Sequence, residues 1–125
     1  MPRILIVDDD KDLLTVIKSL LTKKGFDVSV YSDPVNLLPV VKHLEPQVIL
    51  LDVFLAGKDG LEICKKLKSS PFSHHIPVII FSAYSQIEET AIDEFGAHDF
   101  IAKPFEINEL MLKIDKALLK RKESL

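Results

Sequence analysis

A chain of 125 residues, 47% apolar and 28% charged, has the length and balance of one globular domain with a core of its own. Sixteen basic residues against 19 acidic ones leave a net charge of −3, which sets up no global field for nucleic acid. No apolar run is long enough to span a bilayer, and "MPRILIVDDD" lacks an apolar stretch ending in a small-residue cleavage site. A soluble, cytoplasmic protein without membrane or nucleic-acid contact is therefore expected. The lone cysteine, Cys64, allows no internal disulfide, which suits a reducing compartment, and reads as a small buried helix residue.

The elements alternate. "RILIV" (Arg3 to Val7) has the unbroken apolar character of a strand buried on both faces. "KDLLTVIKSLLTKKG" follows, with Leu13, Leu14, Ile17, Leu20 and Leu21 at helical spacing and Gly25 at its C-cap. "FDVSVY" alternates as a strand, and Ser32 to Pro34 supply a cap and a proline for the next helix, Pro34 to Leu44. Pro39 should kink or shorten that helix. "QVILLD" is a third strand, and the third helix carries Leu61, Ile63, Cys64 and Leu67 inward. "IPVIIFS" and "DFIAK" are strands four and five. Between them lies a short helix with Ile87, Ala91 and Phe95 inward and Gly96 at its end. The last helix places Ile107, Leu110, Met111, Ile114 and Leu118 at three-to-four spacing, and "KALLKRK" is its solvated basic end.

Five strands alternating with five helices predict an α/β fold, a doubly wound parallel sheet covered on both faces. In such sheets ligands sit outside the C-terminal strand ends, where strand order reverses. At those ends stand Asp8 and Asp9, Asp52, Ser82 and Lys103. Clustered carboxylates repel unless a cation neutralises them, and a hard divalent ion is commonly held by one or two carboxylates with water and phosphate. Three acids, a hydroxyl and an ammonium suit phosphoryl transfer to a carboxylate nucleophile. Nucleotide and flavin binding fit poorly. Only four glycines are present, no phosphate-cradling glycine motif follows a strand, and the first loop reads "DDDKD".

"VDDD", "LLDVFLAGKDG", "FSA" and "KPF", each after its strand, together resemble the response-regulator receiver domain of two-component signalling, across Arg3 to Leu119. The resemblance implies a flavodoxin-like three-layer sandwich with strand order 2-1-3-4-5, residues 1–125 forming a single receiver domain. It implies that Asp52 is phosphorylated. It also implies that Asp8, Asp9, Asp52 and the Phe54 backbone carbonyl hold Mg²⁺, with Mn²⁺ as an alternative. Lys103 would pair with the phosphoryl group, before a cis bond to Pro104. Ser82 would be the switch hydroxyl and Phe100 the switch aromatic, while Gly60 would turn the loop. Asp10 matches no family role and reads as a solvated helix charge. Leu55 and Ala56 stand where the family often has Met-Pro, which removes no functional group. Phe54 and Tyr84 flank the route of the hydrolytic water, which implies slow autodephosphorylation.

Under this resemblance the chain is a switch and no turnover enzyme. A histidine kinase or phosphotransfer protein would donate the phosphoryl group, and the face of helix four, strand five and helix five would change for an output partner. With no output domain after helix five, the chain is expected either to stand alone or to be a piece of a longer regulator. His98, Asp99, Lys113, Asp115 and Lys120 give an incomplete set for charge-paired dimerisation, so a monomer or a phosphorylation-dependent dimer is expected. His74 and His75 read as surface residues. Two rival classes remain: a metal-dependent phosphatase, which would need a cap insertion, and a pseudo-receiver used only for binding.

Overall fold

The computed structural model describes residues 1–33, 37–55 and 58–124, with backbone alone for Phe54, Leu55, Lys58 and residues 121–124. Its main sheet has strands β1 (Arg3–Val7), β2 (Asp27–Tyr31), β3 (Val48–Asp52), β4 (Val78–Ser82) and β5 (Asp99–Ala102). All pair in parallel, in the order β2-β1-β3-β4-β5. The helices are α1 (Lys11–Lys23), α2 (Leu37–Leu44), α3 (Gly60–Ser69), α4 (Glu88–Phe95) and α5 (Ile107–Ser124). A 3₁₀ turn, Ser85–Ile87, leads into α4.

Alternation along each strand sends side chains to opposite faces, and both faces are buried. Leu5, Val7, Ile49, Leu51, Ile80 and Phe100 pack beneath α2, α3 and α4, against Leu37, Val41, Leu61, Cys64, Leu67 and Ala91. Ile4, Ile6, Leu50, Ile79, Phe81 and Ile101 pack on the other face against Leu14, Ile17 and Leu21 of α1 and Leu110, Ile114 and Ala117 of α5. Full burial of each such aliphatic side chain is worth about 1.5–3 kcal/mol, which holds the helices on the sheet.

Several details differ from the sequence expectation. Leu20 is 37% exposed, because the inward arc of α1 is filled by Leu14, Ile17 and Leu21. Ile63, Ile87 and Phe95 only border the core. The described part of the second helix begins at Leu37, so Pro39 sits in its first described turn and introduces no break; the Pro34 cap lies outside the described residues. Gly25 (φ 98°) follows the Lys24 cap of α1 in the left-handed region. A two-residue antiparallel ladder, Phe54–Leu55 with Lys58–Asp59, folds the loop after β3 back on itself, which no periodicity announced.

Candidate functional site

Because β1 and β3 are neighbours and the chain leaves them in opposite directions, a crevice opens at their C-terminal ends. Continued alternation carries Asp8 onto the face of Ile6, and Asp52 onto the face of Leu50. The two acids therefore point into one crevice. Asp8 is 1% and Asp52 7% exposed, while Asp9 stands open to solvent. One carboxylate oxygen from each of Asp8, Asp9 and Asp52 lies within 4.8 Å of the other two.

Local geometry fixes these side chains. The Asp10 amide donates to Asp8 Oδ1 at 3.0 Å, and the Val53 amide donates to Asp52 Oδ1 at 2.9 Å. Asp10 itself is no idle charge: its Oδ1 accepts from the Leu13 amide at 3.1 Å and caps α1. Of the "DDD" run, two acids face the crevice and the third starts the helix.

Lys103 provides the positive charge. Its Nζ lies 2.8 Å from Asp8 Oδ2 and 3.5 Å from Asp52 Oδ1. The Lys103 amide donates to the Ser82 carbonyl at 2.8 Å, and the Lys103–Pro104 peptide is cis. Burial pushes the Asp52 carboxyl up to about 6, with Lys103 lowering it and Asp8 raising it further. This donor set, three carboxylates offering oxygen alone, fits a hard divalent cation.

Ser82 is buried, and its Oγ accepts from the Tyr84 amide at 3.0 Å. Phe100 is buried on the sheet face that also carries Ile80. Its carbonyl accepts from Lys113 Nζ, which also lies 3.3 Å from Asp99 Oδ1. Tyr84 is 49% exposed; the Phe54 side chain lies outside the described residues. Gly60 opens α3 after its Asp59 cap, and a Cβ there would stand 2.0 Å from the Asp52 carbonyl oxygen. Its role is close approach to the backbone of β3, beyond the turn expected of it. Cys64 is buried with its thiol pushed up to about 12 by desolvation, as inert as its helix position suggested.

The model of the response regulator receiver domain matches residues 4–115. The chain belongs to this family. The receiver is similar to the receiver domain of NtrX from Brucella abortus at 31% identity and TM-score 0.82, covering 92% of this chain and 97% of that one. A receiver domain protein from Methanospirillum hungatei matches at 25% identity and TM-score 0.91, over 100% of this chain and 99% of that one. Against longer NtrX from Brucella abortus the identity is 30% and the TM-score 0.86, over 98% of this chain but 28% of that protein. The receiver is thus a phosphoacceptor signalling domain of the two-component type on a flavodoxin-like sandwich. Among the described residues, no helix is long and apolar enough to cross a membrane.

Sequence reasoning named the crevice residues but missed three supports: the Asp10 cap, the Gly60 contact, and the ring of Phe81 beneath Lys103, 4.5 Å from Nζ to its centroid. The cap was legible in "DKDL", since Asp before a helical stripe is an N-cap signature. The Gly60 contact depends on how the loop after β3 folds back, and the Phe81 contact on which strands become neighbours.

Proposed function

We propose that Asp52 takes a phosphoryl group from a histidine kinase or phosphotransfer protein and that the resulting charge is read out at the face of α4, β5 and α5. The observation that carries this is the convergence of Asp8, Asp9, Asp52 and Lys103, with the ammonium 3.5 Å from the Asp52 oxygen. An Asp52 carboxylate oxygen attacks phosphorus, the donor's N–P bond breaks, and the imidazole nitrogen leaves with the electron pair. Lys103 faces both Asp8 and the phosphoryl oxygens, and shifts from the first toward the second as charge accumulates there. Asp8, Asp9, Asp52 and the Phe54 carbonyl would hold Mg²⁺, or Mn²⁺ in its place, which supplies neutralising charge to the phosphoryl oxygens.

Phosphorylation draws the Ser82 hydroxyl toward the new oxyanion and away from the Tyr84 amide. Phe100, buried in this structure, is the switch aromatic that follows the Ser82 movement and so changes the face of α4, β5 and α5. Residues 1–125 act as a single receiver domain, monomeric or dimerising on phosphorylation. Its partners are the phosphodonor and an output protein, or an output domain of a longer regulator. Phe54 and Tyr84, flanking the water route, make the aspartyl phosphate long-lived.

Intact mass after incubation with acetyl phosphate and Mg²⁺, wild type beside Asp52→Asn, tests the reading. One metal-dependent phosphoryl adduct, absent from Asp52→Asn, is expected. No adduct in either protein would overturn it in favour of a binding-only pseudo-receiver. Many turnovers of free phosphate independent of Asp52 would overturn it in favour of a hydrolase.

A further inference from the structure

We infer that Phe81 is a positioning residue for phosphoryl transfer: its ring is the platform that carries the Lys103 ammonium across β4 to the acids. The inference rests on the phosphoacceptor reading above.

The sheet order creates the problem that Phe81 solves. Lys103 follows the end of β5, whereas Asp52 ends β3 and Asp8 follows β1. Strands lie about 4.8 Å apart, so the lysine must reach over one strand to Asp52 and over two to Asp8. A four-carbon stem covers only part of that distance, the acids' own side chains closing the rest, and its many rotamers would spread the ammonium over the crevice mouth. The strand it must cross is β4, and there Phe81 is the register partner of Asp52 on one side and of Ile101 on the other. Register partners in a parallel sheet share a face, so Asp52 and Phe81 project side by side from the sheet. Lys103, two residues beyond Ile101, falls on that same face.

The contact follows from this placement. Lys103 Nζ lies 4.5 Å from the Phe81 ring centroid, within cation–π range, while remaining 2.8 Å from Asp8 Oδ2. The ring is itself fixed. Phe81 is 1% exposed, and Phe105, one residue beyond the cis peptide, stands edge-on to it at 6.4 Å and 78°. The ammonium thus has a negative ring face below and carboxylates ahead. A leucine at position 81 would fill the core yet offer no charge complement to the cation.

Fluorination of the ring tests this, because fluorine withdraws the negative ring face while scarcely changing shape. Phenylalanine carrying zero, one, two or three fluorines is placed at position 81 alone, in wild-type and Lys103→Ala backgrounds. The rate of Asp52 phosphorylation by acetyl phosphate at saturating Mg²⁺ should fall stepwise, by about threefold to tenfold over the series, the size of one cation–π contact. In Lys103→Ala the residual rate should ignore the fluorines. A readout free of activity is the Lys103 ε-methylene proton resonance, shifted upfield by the ring in wild type and relaxed in Phe81→Leu. A flat rate series with the adduct still forming, or equal slowing in Lys103→Ala, overturns the positioning role and leaves the phosphoacceptor reading standing. An unshifted Lys103 resonance in the wild type also overturns it. Failure of the unfluorinated protein to form any adduct overturns both.

Discussion

Gly60 approaches the Asp52 carbonyl so closely that a Cβ on it would lie 2.0 Å from the oxygen and 2.7 Å from the Val53 α-carbon. Its amide meanwhile donates to the Val53 carbonyl at 2.6 Å. The first residue of α3 is thereby locked against the backbone that carries Asp52.

Gly60→Ala should consequently be among the costliest single substitutions in the chain. Backbone cannot give way as a side-chain tip can, so the loss should be about 3 kcal/mol or more, or failure to fold. Urea unfolding checks this. A loss below about 1 kcal/mol would mean that the β3–α3 junction yields freely.

Asp52→Asn should be more stable than the wild type at pH 7 when metal is chelated. Folding raises the Asp52 carboxyl from an ordinary 3.8 to about 6, so the fold disfavours its charged form. The stability of the protonated form is fully present below 3.8 and is lost as pH rises through about 6. A shift of about two units corresponds to at most about 3 kcal/mol, and about 1–3 kcal/mol is the expected gain in the amide variant. Calorimetry with chelator should show the difference close as pH falls from 7 to 4. A constant difference across that range would contradict the assignment.

Lys103→Met keeps the stem but removes the cation from Asp8, which is buried and bonded to it at 2.8 Å. Leaving buried carboxylates facing one another should cost about 2–4 kcal/mol without metal. Saturating Mg²⁺ should restore part of that stability, since a cation again faces Asp8. Unfolding curves with and without Mg²⁺ measure both effects.

Asp9→Ala and Asp10→Ala should separate two jobs within one acidic run. Asp10 caps α1 through the Leu13 amide, so its loss should cost about 1 kcal/mol and leave Mg²⁺ affinity near the wild-type value. Asp9 lies within the carboxylate cluster, so its loss should abolish tight Mg²⁺ binding. Calorimetric titration with Mg²⁺, beside urea unfolding, distinguishes the two patterns.

Phe54→Asn should shorten the life of the phosphorylated protein under the proposed function, because a side-chain amide can orient an attacking water where a phenyl ring cannot. The decay of the phosphoryl adduct by intact mass gives the rate directly. An unchanged half-life would contradict a role for position 54 in setting that lifetime.

The local pattern of the chain determined the elements themselves. "ILIV" and "VIIF" cannot leave a face in water, and the stripes of Leu14, Ile17, Leu21 and of Leu110, Ile114, Ala117 each need a sheet face to cover them. The acids after β1 and β3, the serine after β4 and the lysine after β5 were visible as strand-end residues for the same reason. What lay beyond a one-dimensional reading was lateral order. Only when β1 lies between β2 and β3, and β4 between β3 and β5, does Asp8 meet Asp52, or does Lys103 have to cross Phe81. Leu20 miscarried because periodicity assigns a face without saying how much of it a neighbour covers. Gly60 and Phe81 were opaque for a related reason. A glycine's missing Cβ and an aromatic face matter only for what stands against them, and those neighbours are set by the fold of the loop after β3, for Gly60, and by the lateral order of the strands, for Phe81.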